Sequence, residues 1–118
     1  MDADEAVERV ITAIDRLLEK TSRPITYMAM CSFWHSLVGI NAKGKPTTKV
    51  LGWADTRSRE YSAVLKGRFD ESEIHNRTGA HFHSSFWPAK LLWLRCEHPT
   101  VWRRTANFLS FSDYVSLR

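Results

Sequence analysis

The chain has 118 residues, of which 43% are hydrophobic and 25% charged, and its formal net charge is +4. That length allows one domain around one core, and that composition excludes a disordered or fibrous chain. No apolar run reaches the roughly 18 residues of a membrane span, and the acidic start Met1-Asp2-Ala3-Asp4-Glu5 lacks the basic region of a secretion signal, so a cytoplasmic location is expected.

The charge excess is spread along the chain as Arg57 and Arg59, Lys66 and Arg68, Arg103 and Arg104. Scattered basic residues read as a solvated surface more readily than as a nucleic-acid patch, and no basic tail is present. The two cysteines, Cys31 and Cys96, form neither a disulfide framework nor a metal knuckle, and are expected as buried thiols in a reducing compartment. Five tryptophans are many for this length; large aromatic side chains fill a core or line a ligand site.

In chain order, residues 3–20 repeat Val7, Val10, Ile11, Ile14, Leu17 and Leu18 at helical spacing, which predicts an amphipathic helix with one buried face. Asp2 is its N-cap, with Glu5 as a capping-box partner, and Arg23-Pro24 marks its end. Ile25 to Cys31 is a short apolar run of the kind found in buried strands of parallel sheets. Leu37 to Ile40 and Thr47 to Trp53 flank the turn residues 41–46 and predict a hairpin. The second half reads as helical: Arg57 to Leu65, Glu71 to Arg77 stopped by Gly79, Phe86 to Arg95 with Pro88 in its first turn, and Pro99 to Arg104. A short strand is expected at Asn107 to Leu109 and a helix from the Ser110 cap to Leu117. The class is therefore α/β. A single buried strand without neighbours, and a chain that stops inside a helix, predict that a larger architecture continues beyond these residues.

The segment Cys31 to Ser36 follows the predicted strand directly, and in open α/β folds the carboxyl ends of strands face the ligand crevice. The indole of Trp34 offers a flat apolar face to sugar C–H groups and His35 can hydrogen-bond a hydroxyl; a packed aromatic turn is the alternative. Asp55 and Arg57 lie two apart at the end of the hairpin beside Trp53. A carboxylate there can accept from hydroxyls and a guanidinium can fork onto a carboxylate or phosphate; the alternative is that Asp55 caps the next helix and Arg57 is exposed. His81-Phe82-His83 has the spacing of two metal ligands on a strand, but no third ligand can be named. The five glycines are singly spaced and form no phosphate loop.

Taken together, residues 32–41, Val50 to Arg57, Arg77-Thr78-Gly79, Phe86 to Leu94 and Leu109 to Tyr114 resemble, in order, the N-terminal domain of FGGY-family carbohydrate kinases. The wording Phe33-Trp34-His35 and Trp53-Ala54-Asp55-Thr56-Arg57 is most similar to the gluconokinase-like branch; xylulokinase-like members carry Met-His-Gly and Trp-Asn-Asp-Gly-Arg there. The resemblance implies a ribonuclease-H-like fold of the actin and hexokinase type, partial here, lacking the first strands and the second domain, with residues 1–118 as part of the sugar-binding domain. It implies transfer of the γ-phosphoryl of ATP, with Mg²⁺, to a sugar, polyol or gluconate-like aldonate, and places Trp34, His35, Trp53, Asp55 and Arg57 at the sugar pocket. The family's Asp-Gly-Thr phosphate turn lies upstream of this first helix and its general-base Asp downstream of Arg118. The expectation is that these residues alone do not catalyse, bind no ATP or Mg²⁺, and self-associate through the open edge of the Ile25 to Cys31 strand. A non-catalytic sugar-binding module and a small basic nucleic-acid-binding protein are the competing readings.

Overall fold

Hydrophobic burial in this chain is divided between two small clusters that meet across one short strand. The computed structural model describes residues 1–118. It orders them as α1 (Ala3–Glu19), β1 (Val38–Ile40), α2 (Arg59–Arg68), α3 (Glu71–Thr78), α4 (Trp87–Glu97), α5 (Pro99–Arg104), β2 (Asn107–Leu109) and α6 (Phe111–Ser116). β1 pairs antiparallel with β2, Val38 opposite Leu109 and Ile40 opposite Asn107.

Successive residues of an extended segment point to opposite faces, and here that alternation feeds both clusters. Val38, Ile40 and Val50 face Ala3, Ala6 and Val7 of α1 and Phe111 and Tyr114 of α6, while Leu37 and Leu51 face Trp93 and Leu94 of α4. Gly39 sits between these layers, where an added Cβ would come within 2.8 Å of Thr47 Oγ1. The caps follow the sequence: Asp2 accepts from Glu5 N, Asp70 from Ser72 N and Glu73 N, Gly79 closes α3 in the left-handed region at φ 73°, and Ser110 and Asp113 form a capping box on α6.

Only 19 of the 118 residues are buried. The molecule measures 57 × 33 × 22 Å with a radius of gyration of 17.3 Å, against about 13–14 Å for a compact domain of this length. No helix is long and apolar enough to cross a membrane.

Several expectations are corrected here. Ile25 to Cys31 is not a strand: it is irregular and exposed, and residues 22–36 make no backbone–backbone hydrogen bond. A strand is stable only with a neighbouring strand to complete its ladder, and what lies beside this segment is helix α1, which offers none. β1 does pair with the segment after the turn, but only through the bridges Leu37 to Leu51 and Ile40 to Pro46, so the predicted hairpin is reduced to two contacts while β2 supplies the ladder. Helix α1 forms as predicted, yet beyond Val7 its apolar face is not covered: Ile11, Ile14, Leu17 and Leu18 are exposed. Glu5 closes no capping box; it pairs with Arg9. Both cysteines are exposed rather than buried, Cys31 because its strand does not form and Cys96 because it lies on the outer face of α4.

Candidate functional site

The two candidate segments emerge side by side from the same end of the bridged pair around β1, where Leu37 bridges Leu51. The first, residues 31–36, turns sharply before β1, and His35 adopts φ 57°, the left-handed region that costs a non-glycine residue about 1–3 kcal/mol. The turn turns the Trp34 indole outward, 83% exposed, and lays it parallel to the His35 imidazole with ring centres 5.5 Å apart. On its other side the imidazole packs on Phe86 at 4.5 Å. His35 thus stands between an exposed indole and a half-buried phenyl ring, at the rim of a largely apolar hollow of about 370 Å³ shared with Phe82, Phe86, Trp87 and His81.

The second segment begins where Leu51 leaves its bridge. Trp53 is 62% exposed and lies between two further hollows. One, of about 300 Å³, runs from Phe33 and Val50 to Asp55; the other, of about 520 Å³, opens toward Arg59, His83 and Ser85. Asp55 takes a fork from Arg57: Nε donates to Oδ1 at 2.9 Å and Nη2 to Oδ2 at 2.5 Å, while Arg57 N donates to Oδ1 at 3.1 Å. The hydrogen-bonding guanidinium holds the Asp55 carboxyl below its ordinary value of 3.8, against the opposing effect of partial burial. Arg57 is held in turn above its ordinary value by the hydrogen bond to the same carboxylate, and its guanidinium lies 4.7 Å over the Trp93 ring.

The five sequence-predicted residues therefore form two groups. Trp34 and His35 make one stacked pair; Asp55 and Arg57 make an ion pair beside Trp53. His35 and Trp53 wall different hollows, and Arg57 lines a fourth of about 510 Å³ with Trp93, Tyr61 and Glu97. There the Tyr61 hydroxyl donates to Glu97, which pushes the phenol up to about 12. Because Arg57 already forks onto Asp55, it is not a free receptor for a substrate carboxylate. Asp55 caps no helix either: it closes a turn onto Arg57 N, and α2 starts after Ser58, whose hydroxyl donates to Ser84 O. His81 and His83 part company, His81 stacking on His75 at 4.0 Å and His83 Nδ1 accepting from Ser85 N.

One residue that the sequence reading passed over joins the two groups. Lys90, 1% exposed, donates from Nζ to His35 O at 2.7 Å and to Gly52 O at 2.9 Å. Its signal was present in the sequence: a lysine inside the apolar stretch Ala89 to Leu92 of a helix is buried only when paired.

A family model described as the N-terminal domain of the FGGY family of carbohydrate kinases matches residues 1–118. The gluconokinase of Bacillus licheniformis is 23% identical over 113 residues, covering 95% of this chain and 22% of that protein. The crystal structure of a ligand-bound xylulose kinase from Lactobacillus acidophilus superposes with a TM-score of 0.92 at 25% identity, covering 99% of this chain and 24% of that one. The gluconate kinase of the same organism superposes with a TM-score of 0.90 at 24% identity, covering 98% of this chain and 23% of that one. The chain thus spans less than a quarter of the length of these relatives, and over that span its α/β fold is that of the sugar kinases.

Proposed function

This chain belongs to the FGGY family of carbohydrate kinases, and from that premise we propose that it supplies part of the sugar-binding wall of a kinase that phosphorylates a gluconate-like aldonate with MgATP. Residues 1–118 then form part of the family's N-terminal domain. The observation that carries this reading is the exposure of Trp34 and Trp53, each beside a polar group that suits a sugar: the His35 imidazole for one and the Asp55 carboxylate for the other. Indole faces stack on sugar C–H groups, and a carboxylate that stays ionised accepts from adjacent hydroxyls. The wording at 33–35 and 53–57 favours an aldonate over a ketose.

The nucleotide and its Mg²⁺ do not fit these residues. The glycines stand singly, and no three His, Cys, Asp or Glu side chains gather as a metal set. ATP supplies the transferred phosphoryl group in the family. What this chain contributes is substrate orientation, the part of phosphoryl transfer that depends on positioning. The 118 residues alone are accordingly expected to bind sugar weakly and not to turn it over.

The uncovered apolar residues of α1, together with Ile25, Tyr27, Met28 and Met30, favour self-association of the isolated chain.

Gluconate, xylulose and glycerol titrated into ¹⁵N-labelled protein test the reading. Gluconate is expected to shift the Trp34, His35 and Trp53 signals with a Kd of about 1 mM or weaker, and His35→Ala to abolish the shifts. A chain whose signals ignore all three ligands, or whose gluconate shifts survive His35→Ala, would overturn the assignment of this wall.

A further inference from the structure

Residues 85–90 do more than open α4. Their side chains capture four main-chain carbonyls, two from each candidate segment. Lys90 Nζ takes His35 O and Gly52 O; Trp87 Nε1 donates to Ser36 O at 2.9 Å; Ser85 Oγ donates to Trp53 O at 2.8 Å. Lys90 alone reaches both segments from one atom. An apolar side chain of the same length would fill its space but leave two carbonyls without donors and an interior gap in positive charge. The left-handed backbone of His35 is a conformation that persists only where its surroundings fix it, and the bond to its own carbonyl is such a constraint. Burial pushes the Lys90 amine below its ordinary value of 10.5, and the negative charge of Asp55 opposes that shift. Asp55 is reciprocally favoured as an anion by Lys90.

We propose that Lys90 is a positioning residue of the candidate sugar wall: its ammonium, bonded to His35 O and Gly52 O, sets the spacing of the His35 turn against the Trp53 to Arg57 loop. The proposal rests on the reading of those two segments as the sugar wall. A lysine suits this task because one tetrahedral nitrogen carries three donors, enough for two carbonyls from separate segments.

The test compares the wild-type chain with K90M and K90R by ¹H–¹⁵N spectra, by titration of the Asp55 carboxyl carbon, and by addition of gluconate. K90M is expected to shift the amides of residues 35–37 and 52–55 together, to raise the Asp55 midpoint, and to weaken gluconate by about tenfold or more. K90R is expected to keep the Asp55 midpoint low, which a purely space-filling role for the side chain would not predict. A K90M chain in which only one segment moves, or neither does, overturns the proposal. If K90M does not fold, the wild-type chain is titrated upward: the Ser36 and Trp53 amides are expected to move with the Lys90 Cε midpoint, below 10.5, and amides that ignore that midpoint overturn the proposal. Wild-type protein that fails to bind gluconate, with both segments and Asp55 still responding to K90M, sinks the sugar-wall reading and leaves the positioning role standing. Gluconate binding that K90M leaves intact, with both segments unmoved, does the reverse.

Discussion

Helices α1 and α4 carry similar stocks of large apolar residues and meet different fates. α4 presents Trp93 and Leu94 to Leu37 and Leu51, and all four are buried. α1 buries Ala3, Ala6 and Val7, then leaves Ile11, Ile14, Leu17 and Leu18 between 37% and 58% exposed. The repeat of apolar residues states which face of a helix gains from burial; it does not state whether the chain supplies a cover. For α4 the cover is the bridged pair at Leu37 and Leu51. For the distal part of α1 it is only the irregular segment 25–31, whose own backbone lacks ladder partners.

The largest effects should separate these two regions. Leu37→Ala or Trp93→Ala is expected to cost about 2–5 kcal/mol, enough to unfold much of the chain, whereas Leu17→Ala should stay within about 0.5 kcal/mol. Urea midpoints at unchanged slope check this. A cost at Leu17 as large as that at Leu37 would show that the α1 face is covered in solution, and the comparison would break. A smaller effect concerns association: Leu17→Glu with Leu18→Glu should shift the isolated chain toward monomer in sedimentation velocity, because charge is placed in the exposed apolar face. Identical profiles for variant and parent would detach self-association from α1.

The smallest expected effect lies in the α4 half. The Asp55 carboxyl is held below 3.8 in the folded chain by Arg57. The folded state therefore binds fewer protons there than the unfolded one as the pH approaches that range. The ion pair's contribution to stability is present above 3.8 and is lost as the pH falls through the lowered folded value. Because Arg57 is largely exposed, solvent screening keeps this contribution small. Asp55→Asn should remove that acid-limb dependence, seen as a difference in melting temperature between parent and variant that narrows as the pH falls below 4, and should free Arg57 from its fork. A difference that stays constant through that range would place the acid sensitivity elsewhere.

Helix boundaries were legible because their signals are local. Asp2, Asp70 and Ser110 cap the helices they precede, Gly79 ends α3, and Pro88 sits in the first turn of α4, each position settled by bonds within a few residues. The five candidate site residues could be named from residue chemistry and family wording, but their grouping could not. The family resemblance implied one shared sugar pocket; the structure groups the set as Trp34 with His35 and Trp53 with Asp55 and Arg57, joined through Lys90. The burial of Lys90 was signalled by the apolar stretch around it, but its partners were hidden, because they are main-chain carbonyls 55 and 38 residues away, which leave no trace in side-chain pattern.

What the sequence determined by itself is the α/β class, the family and most of the helices, since caps, turn residues and apolar period act over a few residues. What tertiary structure alone decided is which apolar faces find cover and which strands form. Residues 25–31 have strand composition and no ladder, while Asn107 to Leu109 becomes a strand because it lies against β1. A backbone hydrogen bond in a sheet needs a second segment, and burial needs a second surface; neither is a property of the residues that require them.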